Sequence, residues 1–167
     1  MPPLIDLNNL ETNDNFDIII IEVDQIASDA SNRVFALLID DEERKCMVEL
    51  NSYEASMLSF VMKDLHKNSH IQTIYQILLR YINSQGVNID KIVIESKVGD
   101  IVYATITLVD QKHDRIFSVI SLAVAMILSL MSNRPLQAVK KVWEEMDEFD
   151  EWDYEYFTLD DDEDEDF

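Results

Sequence analysis

The stretch Asp90–Val109, with the sequence DKIVIESKVGDIVYATITLV, decides the fold class of this chain. Apolar and polar residues alternate on both sides of Gly99 and Asp100, and a Gly-Asp pair is typical of a turn. After the turn the alternation divides the residues between two strand faces: Val102, Ala104, Ile106 and Leu108 on one, and Tyr103, Thr105 and Thr107 on the other. The stretch therefore predicts a β-hairpin.

The residues before the hairpin predict strands followed by helices. Short apolar runs predict three strands, at 17–23, 34–39 and 45–50. The polar segment 25–33 is expected to be a loop. Asn51 is the expected N-cap of the first helix, because Glu54 stands three positions later, as a capping box requires. Apolar residues at helical spacing then predict a second helix that begins near Ile71 and stops at Gly86.

The residues after the hairpin predict two more helices. A polar loop at 111–115 precedes a helix at 118–132 that is apolar nearly all round, so we expect it deep in the core or in a subunit interface. Pro135 suits the first position of a fourth helix, which ends near Met146. The predicted order, β-β-β-α-α-β-β-α-α, is typical of an α+β fold with a mainly antiparallel or mixed sheet and helices packed on it.

Negative charge is concentrated at the C-terminal end. The chain has 167 residues and a net charge of −21, and 15 of its 34 acidic residues lie from Glu144 onward, where there is no Lys or Arg. This distribution predicts a flexible leader at 1–16, a single domain at 17–146 and an acidic, disordered tail at 147–167. The aromatic residues of the tail are candidates for docking onto another surface.

Composition also disfavours several classes of protein. A chain this acidic has no basic footprint for nonspecific nucleic-acid binding or for an anionic membrane surface. The apolar run 116–131 is interrupted by serines and is shorter than the roughly 20 residues that span a bilayer. Cys46 is the single cysteine, so the chain forms no internal disulfide. The N-terminus has no signal-peptide pattern, and we expect a cytoplasmic protein.

Several short segments carry a resemblance to a known family. Glu54-Ala55 opens a helix after a strand, with Asn51 where the family has glycine, and the hairpin pairs Asp90-Lys-Ile-Val-Ile with Val102-Tyr103-Ala-Thr. Between them, Tyr75 and Gln76 stand about where the family has His-Asp. These features resemble the bifunctional nuclease domain family, also called DUF151, over roughly residues 34–143. The resemblance implies a family activity of DNA and RNA phosphodiester hydrolysis.

The third predicted helix departs from that family. Its members carry Asp-Ser-Arg-Pro-Ser-Asp-Ala leading into this helix, and the matching segment here is 119–125, VISLAVA, in which only Ala125 agrees. The resemblance therefore implies a nuclease fold with weak or lost activity. The residues that it nominates for any remaining catalysis are Glu54, Tyr75, Gln76 and Tyr103. No cofactor is evident, and a divalent metal is implied only if hydrolysis survives.

Each of these residues also has an ordinary structural explanation. Glu54 is equally the third helical residue of a capping box, and Tyr103 fits an exposed strand face. Tyr75 and Gln76 fit the wet face of a helix start. His66 and His70 are four residues apart, with Asp64 nearby, a spacing that suits a weak metal site on a helix. They are equally explained as ordinary loop histidines.

A second hypothesis makes the chain a non-catalytic acidic adaptor or protein-interaction module. In this interpretation the apolar helix at 118–132 is a self-association surface, which predicts a homo-oligomer, most simply a dimer. The polyanionic tail would recruit a basic protein partner. Nucleic acid remains a partner through the family resemblance alone, against the charge.

Overall fold

A computed structural model describes residues 17–64, 67, 73–146 and 148, and the backbone of 157–159. The strands are β1 Ile18–Asp29, β2 Val34–Ile39, β3 Lys45–Leu50, β4 Asn88–Val98, β5 Ile101–Val109, β6 Arg115–Ser121, β7 Leu136–Val139 and β8 Phe157–Leu159. The helices are α1 Ser52–Met62, α2 Ile74–Ser84, α3 Leu122–Ser132 and α4 Lys140–Glu144.

The strands form one mixed sheet. Its order is β3-β2-β1-β7-β4-β5-β6, and β8 pairs with β1 off this path. The neighbours in this order are antiparallel except β4 and β7, which are parallel. The predicted α+β class with a mixed sheet and packed helices is confirmed. In the described chain, no helix has the length and apolarity needed to cross a membrane.

The predicted hairpin at Asp90–Val109 is present as strands β4 and β5. β4 and β5 pair from Asn88↔Val109 to Val98↔Ile101, which leaves a two-residue turn with Gly99 at φ +61°. Glycine adopts this left-handed conformation without the steric penalty that a Cβ would bring. Thr107 differs from expectation, because it lies on the predicted polar face and yet is buried. Both faces of β5 are therefore covered at that point.

Two segments predicted as loop or helix are strands. Residues 25–29 extend β1 instead of beginning a loop, and they pair with β2 across a bulge between Val23 and Gln25. Residues 115–121, predicted as the end of a loop and the first turn of a helix, form β6 against β5. The sequence RIFSVIS has apolar pairs separated by serines, a pattern of neither strict alternation nor clear helical spacing, so periodicity alone does not separate the two structures. Backbone pairing with β5 makes this segment a strand.

β7 replaces the first part of the predicted fourth helix. Leu136–Val139 pairs with β1 on one side and with β4 on the other, and only Lys140–Glu144 is helical. The apolar spacing there suits a helix, but the segment fills the gap between the two halves of the sheet. Its backbone N–H and C=O groups therefore form ladder hydrogen bonds on both sides.

The third helix lies in the core of this chain. α3 packs on α1 and on strands β4 to β7, and most of its residues are buried. Its apolar surface is therefore covered within the monomer. Most of this helix is therefore used within the monomer, and the structure gives no support to the prediction that it is a self-association surface.

Four residues of the predicted tail, Glu148 and 157–159, lie among the described residues. The backbone of β8 pairs with residues 27–29 of β1, and Glu148 forms an isolated bridge with Cys46 on β3. The rest of the predicted tail, and the predicted leader at 1–16, lie outside the described residues.

Three hairpin turns share one hydrogen-bond pattern. An aspartate begins each turn, and its carboxylate accepts hydrogen bonds from the backbone N–H groups two and four positions later, at 2.8 or 2.9 Å. These aspartates are Asp29, Asp40 and Asp110. The fourth residue of each turn is left-handed: Asn32 at φ 60°, Glu43 at 65° and His113 at 64°. The side chain thus supplies the turn geometry without glycine.

We expect Glu43→Gly to raise the free energy of unfolding by about 0.5–1 kcal/mol. The left-handed conformation is strained for glutamate, and removing that strain outweighs the extra freedom that glycine gives the unfolded chain. Urea unfolding monitored by tryptophan fluorescence measures the change. Asn32→Gly is the matched control and should give a smaller change, since asparagine tolerates this conformation well. Equal gains at both positions would contradict the explanation.

Candidate functional site

Glu54 forms the predicted capping box at the start of α1. The Asn51 side chain accepts the Glu54 N–H at 2.8 Å, and Glu54 Oε2 accepts the Asn51 N–H at 2.9 Å. Each side chain satisfies a backbone donor that the first turn of a helix leaves without an intrahelical partner. The Glu54 carboxylate is therefore engaged in helix capping.

Gln76 occupies the same position in α2. Thr73 Oγ1 accepts the Gln76 N–H at 3.3 Å, and Gln76 Oε1 accepts the Thr73 N–H at 2.8 Å. The sequence reasoning nominated Gln76 by family position and did not recognise this capping box. The spacing Thr-x-x-Gln contained the signal.

Tyr75 lies near the start of α1. Burial raises the pKa of Tyr75 above its ordinary value, and the nearby Tyr53 hydroxyl and Glu54 carboxylate add to the rise. The starts of α1 and α2 are therefore neighbours, which brings two of the four nominated residues together. A phenol with a raised pKa stays protonated at neutral pH, so Tyr75 is suited to donating a hydrogen bond and not to acting as a base.

Tyr103 lies on β5, half-buried, in register with Ser96 on β4 and Ser121 on β6. Ser121 is the N-cap of α3, and its Oγ accepts the Val124 N–H at 3.3 Å. Tyr103 therefore faces a helix start that has kept a cap and has no charged side chain, since Leu122, Ala123 and Ala125 are buried apolar residues.

The predicted metal site at His66 and His70 lies outside the described residues. Asp64 is exposed and forms an ion pair with Lys67 at 3.1 Å. Among the described residues no group of three His, Cys, Asp or Glu side chains has the spacing of a metal site.

An open cleft of about 390 Å³ lies between α2, the start of β4 and the end of α3. Its lining is Gln76, Leu79, Arg80, Asn83, Asn88, Ile89, Met131, Ser132 and Arg134. Of the four nominated residues, only Gln76 is in this lining. A second hollow, of about 360 Å³, shares Asn88, Ile89 and Arg134 with the cleft, and its lining includes the carboxylates Asp90 and Asp110.

Charge distinguishes this cleft from the rest of the chain. Arg80 and Arg134 line it and no carboxylate does, although the chain has 34 acidic residues. Neither guanidinium forms a salt bridge with another described residue. Arginine binds phosphate and carboxylate groups with two parallel hydrogen bonds, so the arrangement suits an anionic ligand.

Sequence reasoning missed this cleft. A signal was present, because the run from Leu65 to Ile89 contains no Asp or Glu in an otherwise strongly acidic chain. The run supplies Arg80, but Arg134 comes from a segment far away in sequence. Only the packing of α2 beside the end of α3 brings the two arginines to one cleft.

A comparison with protein-family models gives no match for this chain, and a comparison with curated proteins gives none either.

Proposed function

We propose that the chain is a divergent member of the bifunctional nuclease family that binds phosphodiester ligands and hydrolyses them weakly or not at all. The family part of the proposal is supported by the strand, capped helix and hairpin that carry the resemblance, all of which are present in that order. The chain has a single cysteine, Cys46, which is buried. One cysteine cannot form an internal disulfide, which suits a reducing compartment, and we propose a cytoplasmic location.

The residues at the starts of α1, α2 and α3 support weak or absent hydrolysis. Phosphodiester hydrolysis needs side chains that activate water and stabilise charge at the scissile bond. Glu54 and Gln76 are engaged in capping boxes. The family's polar segment at the start of α3 is replaced by mostly apolar residues, of which Leu122, Ala123 and Ala125 are buried. An apolar helix start offers no ligand for a metal and no charge for a phosphate.

One observation supports binding of a phosphodiester ligand: Arg80 and Arg134 line the cleft and no carboxylate does. The acidic body and tail oppose a long polyanion. A short single-stranded oligonucleotide avoids most of that repulsion because it covers only a few residues around the cleft. We therefore propose short single-stranded RNA or DNA as the ligand.

Fluorescence anisotropy with a labelled single-stranded oligonucleotide tests the binding site. We expect Arg80→Gln and Arg134→Gln each to weaken binding roughly tenfold, the loss of a charge-assisted hydrogen bond. Arg115→Gln is the matched control, since Arg115 is exposed on β6 outside the cleft and carries the same charge. Equal losses for all three variants would reduce the effect to net charge, and no loss in either cleft variant would refute the site.

A cleavage assay with Mg²⁺, Mn²⁺ or EDTA tests the loss of hydrolysis, and two substitutions separate capping from catalysis at Glu54. We expect Glu54→Ala to destabilise the protein by about 0.5–1 kcal/mol and Glu54→Gln to change stability little, because glutamine completes a capping box as glutamate does. Thermal unfolding measures both. A wild-type chain that cleaves RNA and a stable Glu54→Gln variant that does not would make Glu54 a catalytic carboxylate.

The outer face of α2 favours a second candidate, a non-catalytic protein-interaction module. Ile74 and Tyr81 are 67% and 64% exposed, which is unusual for large apolar side chains on one helix. In this role the acidic tail would recruit a basic partner. A chain that binds no oligonucleotide at low salt would leave this candidate as the better account.

A further inference from the structure

α2 is apolar on two sides. Tyr75, Leu79 and Ile82 are partly buried and pack against the core of the chain. An adjoining side exposes four large side chains, Ile74, Ile77, Leu78 and Tyr81, which we call the α2 stripe. Their spacing of three, four and seven residues puts them on one face of the helix, as in the seam of a coiled coil.

From this arrangement we propose that the α2 stripe is the contact between two copies of this chain, in an antiparallel pair of α2 helices. The stripe is symmetric about its centre, between Ile77 and Leu78. A twofold axis at that point sets Ile77 against Leu78 of the partner and Ile74 against Tyr81 of the partner. An isologous contact requires this self-complementarity.

The lack of carboxylates on α2 permits a second copy of this chain as the occupant. Two chains of net charge −21 repel one another over most of their surface. The run from Leu65 to Ile89 has no Asp or Glu, and α2 itself carries one charge, Arg80. Two α2 helices therefore approach each other without burying a carboxylate. A basic partner would be drawn to the acidic surfaces and not to this uncharged stripe.

The size of the stripe sets the strength of the contact. Four side chains offer less than the roughly 800 Å² per partner of a standard interface. We therefore expect a reversible dimer that dissociates in the micromolar range. The inference does not depend on the oligonucleotide-binding proposal, because the stripe residues do not line the cleft.

Sedimentation velocity of the full chain at about 1–100 µM tests the proposal. We expect the wild-type mass to rise toward that of a dimer with concentration, and Leu78→Asp to remain monomeric throughout. Ile77→Gln should weaken the dimer at least several-fold without adding a charge. Ile116→Asp is the matched control, since Ile116 is 56% exposed on the edge strand β6, and it should dimerise as the wild type does.

Three results would overturn the assignment. One is a wild-type chain that stays monomeric over the whole range. Another is a dimer that persists in a folded Leu78→Asp variant, with folding checked by circular dichroism. The third is a dimer lost in Ile116→Asp and kept in Leu78→Asp, which would move the contact to the β6 edge.

Discussion

Trp143→Ala is expected to lower the free energy of unfolding by about 3–5 kcal/mol, the usual range for a large aromatic residue removed from a core. Trp143 is 1% exposed, and its Nε1–H donates to Asp40 Oδ2 at 2.7 Å. The substitution leaves a cavity beneath α4. It also removes the indole N–H that donates a hydrogen bond to the Asp40 carboxylate. Urea unfolding followed by far-ultraviolet circular dichroism measures the loss without relying on the deleted fluorophore.

Trp143→Phe separates the two contributions. Phenylalanine keeps most of the buried ring and loses the indole N–H, so we expect a loss of about 1–3 kcal/mol. A loss as large as that of Trp143→Ala would mean that the hydrogen bond, and not the packing, dominates. A loss below about 1 kcal/mol for Trp143→Ala itself would contradict its place in the core.

Arg44→Ala should give the next largest effect, a loss of about 2–4 kcal/mol. The Arg44 guanidinium donates to three backbone carbonyl oxygens, those of Trp143 at 2.8 Å, Met146 at 2.9 Å and Glu144 at 3.2 Å. The last carbonyls of a helix have no intrahelical donor, and the cation also lies favourably at the negative end of the helix dipole. Hydrogen bonds from a charged donor contribute about 1.5–3 kcal/mol in mutational series. The same unfolding assay measures the change.

Arg44→Lys is the matched control for charge. Lysine keeps the positive charge, but its compact ammonium group does not reach three carbonyls with the geometry of a guanidinium. We therefore expect it to recover less than half of the lost stability. Full recovery by lysine would show that charge, and not the three directed hydrogen bonds, is what α4 requires.

Arg44 and Trp143 act on the same contact, so their effects should not add. Both residues contact the turn that begins at Asp40. Asp40 Oδ1 accepts a hydrogen bond from the Arg44 backbone N–H, and Asp40 Oδ2 accepts one from Trp143 Nε1–H. The Arg44 guanidinium also lies 5.7 Å from the centroid of the indole ring. In a double-mutant cycle we expect the combined loss to fall below the sum of the single losses by about 0.5–3 kcal/mol.

Contacts of the candidate site between residues close in sequence could be predicted, and contacts between residues far apart in sequence could not. The Glu54 capping box could be predicted, because Asn51 and Glu54 are three residues apart and the hydrogen bonds form within one helical turn. The cleft could not, because Arg80 and Arg134 meet only after α2 packs beside the end of α3. The α2 stripe could not be predicted either, because apolar spacing on a helix does not say which of two apolar faces packs on the core.

The sequence by itself determined the features that have a distinct local pattern: the β4–β5 hairpin around Gly99, the short apolar strands β2 and β3, and the capping pair of α1. Tertiary structure alone decided β6 and β7. Residues 115–121 and 136–139 have apolar patterns that fit either a strand or a helix, and neighbouring strands supply the backbone partners that make them strands. Buried N–H and C=O groups must be paired, so the assignment belongs to the partner as much as to the segment.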